Sequence, residues 1–372
     1  MTDGRRVLII QPYVPSYRVR FFDALRTELA RRGYALRVAA GSARGSQRMR
    51  GDDTRDGGQL RELALPFFGK SIVLRLPAQG SLQSDLVVLE QATKNLDTYL
   101  ILVLRKILGK PTALWGHGMT ITERQGRMQA ALQRWMLRRA DWFIGYTRDS
   151  ESRALQNGAA AGRTSHVNNT IDAEGVARHK EDLLPDPGYE GRWVALYIGG
   201  LDPSKRIHEL LQIAKNVYER DKRFLLVVAG TGILESVVLD ASHEPWLKFV
   251  GRVDDAGKAR WGHGASILLV PGRVGLVVID SFTLGLPIVT SRDSDHAPEF
   301  EYLDNENSVV TNDAEIVEVI IRLMQNDSML LALQTAASAD ADKYSLDAMV
   351  SAFRSAVEQS MATPVRRRGL LS

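Results

Sequence analysis

Residues 194–229 read VALYIGGLDPSKRIHELLQIAKNVYERDKRFLLVVA. The apolar run 194–198, closed by Gly199 and Gly200, has the pattern of a strand buried on both faces. From 208 to 220 the period changes, and Leu210, Leu211, Ala214 and Val217 recur at helical spacing along one inward face. Residues 224–229 (FLLVVA) return to a buried strand. Strand, helix and strand in this order make a βαβ unit, the building block of a parallel, doubly wound sheet.

The beginning of the chain repeats the layout. Residues 7–11 (VLIIQ) read as a strand, 19–32 as a helix with Phe21, Phe22, Leu25 and Leu29 on one face and Gly33 at its end, and 35–40 as a second strand. The fold class expected is α/β, with two Rossmann-like domains in tandem over 1–180 and 190–345. The stretch 179–192, with Pro185, Pro187, Gly188 and Gly191, reads as the linker. Residues 346–372 read as a helix that packs back on the first domain, followed by a basic tail, Arg366-Arg367-Arg368. The length of 372 residues agrees, because a single core stops growing near roughly 250 to 300. Segment 41–58 (GSARGSQRMRGDDTRDGG) lacks apolar periodicity and reads as a surface loop.

Composition excludes several classes. With 44% hydrophobic and 25% charged residues, the chain can build cores. The absence of cysteine removes disulfide frameworks, thiol nucleophiles and cysteine-ligated zinc, and it fits a cytoplasmic setting. No run approaches the roughly 18 to 20 apolar residues of a membrane span, and residues 1–6 do not read as a signal peptide. Charge is uneven: residues 1–180 hold 29 Lys and Arg against 16 Asp and Glu, whereas 181–372 hold 19 against 28. The basic half points to an anionic membrane, a phosphorylated lipid or a nucleic acid, or is a solvated basic face. No nucleic-acid reading module accompanies it, so no nucleic-acid partner is expected.

Familiar nucleotide motifs are missing. Residues 12–17 (PYVPSY) stand where a dinucleotide fold has its glycine fingerprint, and Gly69-Lys70-Ser71 lacks the first P-loop glycine, replaced by Ala64. The acid pairs in 293–296 and 340–342 have metal-like spacing that arises readily by chance, and no metal or cofactor is expected.

Four segments fall at the expected carboxyl ends of strands: 114–118 (LWGHG), 197–206 (YIGGLDPSKR), 228–232 (VAGTG) and 271–287 (PGRVGLVVIDSFTLGLP). In a fold of two such domains they can converge on the crevice where open α/β sheets bind ligands. Lys205 and Arg206 follow a glycine turn and precede a helix, a place suited to a pyrophosphate or to a solvated basic pair. Asp280 lies in the helix after Gly275 and Leu276, where its carboxylate can accept two hydroxyls or serve the helix itself. His117 stands between two glycines, able to project or to be satisfied structurally.

Together with 140–144 (ADWFI) and 167–172 (VNNTID), these segments resemble, in order over nearly the whole chain, the retaining glycosyltransferases of the GT-B class that includes family 4. The resemblance implies two parallel sheets facing across a cleft. It also implies metal-independent transfer of a sugar from a nucleotide diphosphate-sugar to a glycan or lipid-linked acceptor, as in cell-surface polysaccharide synthesis. It places Gly199, Gly200, Lys205, Arg206, Gly230, Gly232, Val253, Arg273, Gly275, Leu276, Asp280 and Glu299 at the donor, with His117 and Lys205 catalytic. Tyr13, Tyr17, Arg18 and Arg20 are the expected acceptor residues, on a loop that departs from the family's glycine-rich form. The first acid of the family's paired-glutamate motif is absent, since Gly272 stands at its position, and Gly200 replaces the usual arginine. A nucleotide-sugar epimerase or a non-catalytic nucleotide-sugar binding protein are the alternatives. Arg124, Arg127, Arg134, Arg138 and Arg139 surround Met128, Leu132, Trp135 and Met136, either as a membrane-surface helix or as a helix packed in the core.

Overall fold

The computed structural model describes residues 4–43, 53–54, 58–59, 62–67, 70–75, 80–119, 126–180 and 187–365. It divides into two compact units. The first comprises 1–171 and 346–372, and the second comprises 172–345.

The first unit has a sheet of seven parallel strands: β1 (Arg5–Gln11), β2 (Tyr34–Ala40), β3 (Gly58–Gln59), β4 (Leu86–Glu90), β5 (Thr112–Gly116), β6 (Trp142–Gly145) and β7 (Thr164–His166). Their spatial order is β7-β6-β5-β4-β1-β2-β3. The order reverses between β1 and β4, as in a doubly wound Rossmann sheet. Helix α1 (Ser16–Arg31) follows β1 and buries Phe21, Phe22, Leu25 and Leu29, the face expected from their spacing. The other face of the sheet carries α2 (Leu96–Ile107) and α3 (Arg127–Arg139), with α4 (Arg148–Gln156) after β6.

The second unit repeats the plan with six parallel strands: β8 (Trp193–Ile198), β9 (Phe224–Ala229), β10 (Leu247–Gly251), β11 (Ile267–Leu269), β12 (Ile288–Ser291) and β13 (Ser308–Thr311). Their order is β10-β9-β8-β11-β12-β13, again reversing beside the first strand. Its helices include α5 (Glu174–Lys180), α6 (Ile207–Arg220), α7 (Glu235–Asp240), α8 (Asp255–Gly262), α9 (Val277–Leu284), α10 (Ile316–Met324) and α11 (Asp327–Ala339). Strands β8, β9 and β11 are buried along almost their whole length, which explains why they read as unbroken apolar runs.

The unit boundary falls after Ile171 instead of near 180, because α5 packs against α8 and α9. Lys180 Nζ donates to the carbonyl oxygens of Thr283 and Leu284 at the end of α9. Residues 181–186 of the expected linker lie outside the described residues, as do Arg366 to Arg368, Arg124 and Gly69. The segment read as one loop over 41–58 contains structure: Asp53–Thr54 pairs antiparallel with Val14–Pro15, and β3 extends the sheet edge. The last helix, α12 (Leu346–Ala362), belongs to the first unit. Its Phe353 ring lies 5.5 Å from Phe21 and 4.9 Å from Trp115.

Candidate functional site

In the second unit, the switch point lies between β8 and β11, so the loops that leave these two strands are forced side by side. The loop after β8 runs from Gly199 through a single 3-10 turn, Pro203–Lys205, into α6. Asp202 caps this turn by accepting from the Ser204 amide at 2.9 Å and its hydroxyl at 2.6 Å. The loop after β11 runs from Pro271 to Leu276 and into α9. The two are stitched together: the Arg273 amide donates to Ser204 O at 2.8 Å, and Lys205 Nζ donates to Arg273 O at 2.6 Å. Lys205 therefore holds its cation at the switch point, beside the start of α6, where helix amides and positive charge together favour an anion.

Close approach explains three glycines. A Cβ on Gly230 would lie 1.9 Å from Gly199 O, and one on Gly272 would lie 2.3 Å from the Lys205 carbonyl carbon. Gly232 meets Leu201 in the same way. The loops after β8, β9 and β11 are thus packed backbone on backbone. Gly272 has no room for the acid that the family motif would place there. A Cβ on Gly275 would make ordinary contact with Ala297 Cβ at 3.5 Å, and Leu276 begins α9. Gly200 accepts at its carbonyl from the buried Tyr197 hydroxyl at 2.7 Å.

Asp280 is 4% exposed and accepts from Lys258 Nζ of α8 at 2.8 Å. Burial pushes its carboxyl up, and Lys258 opposes this. Burial also works against the Lys258 ammonium, yet Asp280 beside it holds the Lys258 pKa above the ordinary value. Lys258 was not singled out from the sequence, because its partner is 22 positions away on another helix. Arg206 is engaged otherwise than expected. Its guanidinium forks onto Asp313 with two bonds of 2.8 Å and reaches Ser294 Oγ at 3.1 Å, tying α6 to the segment after β13. Asp313 also accepts from the Ser291 hydroxyl. Glu299 is buried in the short turn Pro298–Tyr302, and Val253 packs beside Gly257 just before α8.

His296, read only as part of a metal-like acid pattern, fastens the loop after β11. Its Nε2 donates to Ser291 O at 2.7 Å, and its Nδ1 accepts from the Val274 amide at 3.1 Å. Making both bonds at once needs the neutral Nε2–H tautomer, because the Val274 amide can only donate and Nδ1 accepts from it only while unprotonated. Burial lowers the His296 pKa, and nearby Arg273 and Lys205 add to the effect. Among the described residues no group of three or more His, Asp or Glu is arranged to hold a metal ion.

In the first unit, His117 is exposed at the end of β5 on a tightly packed turn. A Cβ on Gly118 would meet Ser150 O at 2.4 Å, and one on Gly116 would meet Gln91 Cβ at 2.6 Å. The His117 ring lies 4.6 Å from the buried Tyr146. Of the expected acceptor residues, Tyr17 and Arg20 are exposed and Tyr13 is buried. Arg18 is enclosed: its guanidinium lies 4.4 Å over the Trp115 ring and 5.1 Å over Tyr146, and Nη2 donates to Asn169 Oδ1 at 3.4 Å. That places Arg18 in the packing beneath His117 and not on the surface.

Two doubly wound parallel sheets in tandem define the GT-B fold. Residues 192–326, a span that includes Lys205, Gly272, Asp280 and His296, match the family model of the glycosyl transferases group 1. The fold is similar to that of HepE from Anabaena, solved in complex with UDP (TM-score 0.68, 13% identity, covering 95% of this chain and 99% of that one). Sucrose-phosphate synthase from Thermosynechococcus elongatus is similar at TM-score 0.65 and 14% identity, over 96% and 99% of the two chains. A UDP-N-acetylglucosamine 2-epimerase also shares the fold, at TM-score 0.57 and 11% identity over 91% and 94%. Comparison with curated proteins gives no match.

Proposed function

We propose that the chain is a glycosyltransferase that moves a sugar from a nucleotide diphosphate-sugar to a glycan or lipid-linked acceptor, with retention of anomeric configuration. The observation that carries this reading is the Lys205 ammonium, fixed between the two switch-point loops inside the segment that matches the family model. In this reading Lys205 and the amides at the start of α6 neutralise the pyrophosphate as the anomeric carbon–oxygen bond breaks. Asp280, kept in place by Lys258, takes the ribose hydroxyls. His117 meets the transferred sugar, and the donor phosphate takes the acceptor proton. The protein supplies positioning and charge, and the reading requires no resident metal.

The complexes of HepE with UDP and with UDP-glucose support a uridine donor as the first choice. The glycoconjugate assembled is proposed to be a cell-surface polysaccharide. Titration calorimetry with UDP, GDP and ADP tests the reading at its base: one diphosphate should bind, and Lys205→Ala should weaken it. Binding of none would remove the donor site as drawn.

A second reading, nucleotide-sugar epimerase, is favoured by one observation, the backbone packed where the family's sugar-contacting acid would stand at Gly272. Incubating the donor sugar without acceptor separates the two, because only an epimerase converts it to its epimer.

A further inference from the structure

Helix α2 is apolar on both sides: it buries Ile101 and Leu102 in the core and also carries leucines outward. Its charged residues are turned away from water: Asp97 is 2% exposed, Arg105 is fully buried, and Lys106 is paired with Asp141 at 2.7 Å. Arg105 donates to the carbonyl oxygens of Ser81, Ser84, Asp85 and Pro111, so its charge serves the neighbouring loops. The outward face is left to Leu96, Leu100 and Ile107, which are 40%, 43% and 61% exposed, with Leu108 beyond the helix end at 54%. Half-buried Val103 and Leu104 lie on the same arc. A helix facing water ordinarily shows the opposite arrangement.

The stripe continues onto α3. Trp135 of α3 lies 5.5 Å from Tyr99 of α2, and at 100° per residue Met128 and Leu132 fall on one side of Trp135, with the Arg139 guanidinium between them, 5.0 Å over the Trp135 ring. Met128 is 74% exposed and Leu132 is 36% exposed. Arg127, Arg134 and Arg138 occupy the opposite flank, all exposed, and α3 contains no acidic residue. The surface is thus an apolar strip bordered by a row of arginines. The backbone of Lys70–Arg75, a strand of the antiparallel pair with Glu62–Phe67, lies alongside α2. Among the described residues no helix is long and apolar enough to cross a membrane.

We infer that this α2–α3 face lies on the interface of a bilayer containing anionic lipid, with the α2 leucines in the acyl boundary and the α3 arginines at the headgroups. The charge is what selects this occupant: an arginine row with no acid on α3 complements a negative surface but repels its own copy in a two-fold dimer. Binding should combine an apolar part that salt leaves intact with an electrostatic part that salt screens.

Flotation of the full chain with vesicles tests this, using phosphatidylcholine alone or mixed with phosphatidylglycerol, at low and high salt. The protein should float with the mixed vesicles and lose part of that binding at high salt. Leu100→Glu with Ile107→Glu should lower binding by roughly tenfold or more, since each removes buried apolar area and adds repulsion. Both side chains are exposed, and an unchanged circular dichroism melt verifies the fold. A wild-type chain that ignores the mixed vesicles at low salt overturns the inference. So does a double variant that binds as well as wild type, or one that turns a wild-type dimer into a monomer without affecting lipid binding.

Discussion

Lys258 Nζ sits 2.8 Å from Asp280 Oδ1, with side-chain exposures of 19% and 6%. A carboxylate placed where a nucleotide's ribose is expected is therefore paired with a lysine from the preceding helix, whose charge opposes the upward push of burial on the carboxyl. The pair pins the Asp280 side chain to α8 and so gives its carboxylate a fixed direction.

Removing the lysine leaves a buried charge without its counter-ion. Lys258→Met should lower stability by about 3 kcal/mol in urea unfolding. Lys258→Met combined with Asp280→Asn should recover most of that loss, because no buried charge then remains. Equal losses in the single and double variants would show that packing of α8, not the ion pair, is responsible.

Lys205→Ala should lower turnover by roughly 100-fold, the scale of losing one charged group aimed at developing negative charge. The circular dichroism melt should stay close to wild type. Activity within about twofold of wild type would remove Lys205 from the mechanism.

Restoring the family's acid should fail. Gly272→Glu, like Gly272→Ala, places a Cβ about where the Lys205 backbone already lies, at 2.3 to 2.6 Å from its carbonyl carbon, oxygen and Cα. Both variants should lose diphosphate affinity and about 1 to 3 kcal/mol of stability through overpacking. Calorimetry and thermal melts check this, and a Gly272→Ala variant that binds as wild type would mean that the loop yields easily.

The His296 fastener gives the loop after β11 an acid limit. Its folded pKa lies below the ordinary value near 6.5, so the unfolded or opened state binds more protons in the window between the two. The stabilisation is present above about 6.5 and lost as pH falls through the lowered value. Protonated Nδ1 can no longer accept from the Val274 amide. Diphosphate affinity should therefore drop on acidification in the wild type. His296→Gln should have lower affinity at neutral pH and a flatter profile, and an equally steep profile would assign the drop to another group.

Arg105 offers a stability test far from the site. Arg105→Met removes donors from four carbonyls and from Thr112 Oγ1, leaving buried acceptors unpaired. The expected loss is about 3 kcal/mol or more by thermal unfolding.

Legibility followed the range of the interactions. The βαβ units at 7–40 and 194–229 could be read because buried parallel strands and amphipathic helices imprint their periods on contiguous residues. The glycines at 230 and 272 could be noticed as glycines, but only the fold shows which backbone each admits. Arg206 read as a phosphate ligand because its sequence neighbours suit one. Its partner Asp313, 107 positions away, could not be read there. Arg18 read as an acceptor residue from its loop, and the rings of Trp115 and Tyr146 enclose it.

Sequence alone determined the two doubly wound units, the loops that carry the site and the place of Lys205 before a helix, since each is written within one turn, strand or helix. Tertiary structure decided which charges are spent internally: Lys258 on Asp280, Arg206 on Asp313, Arg105 on loop carbonyls. It also decided that the leucines of α2 face outward. Those outcomes depend on which distant segments the sheet order brings together, and hydrophobic periodicity along a single helix does not encode its neighbours.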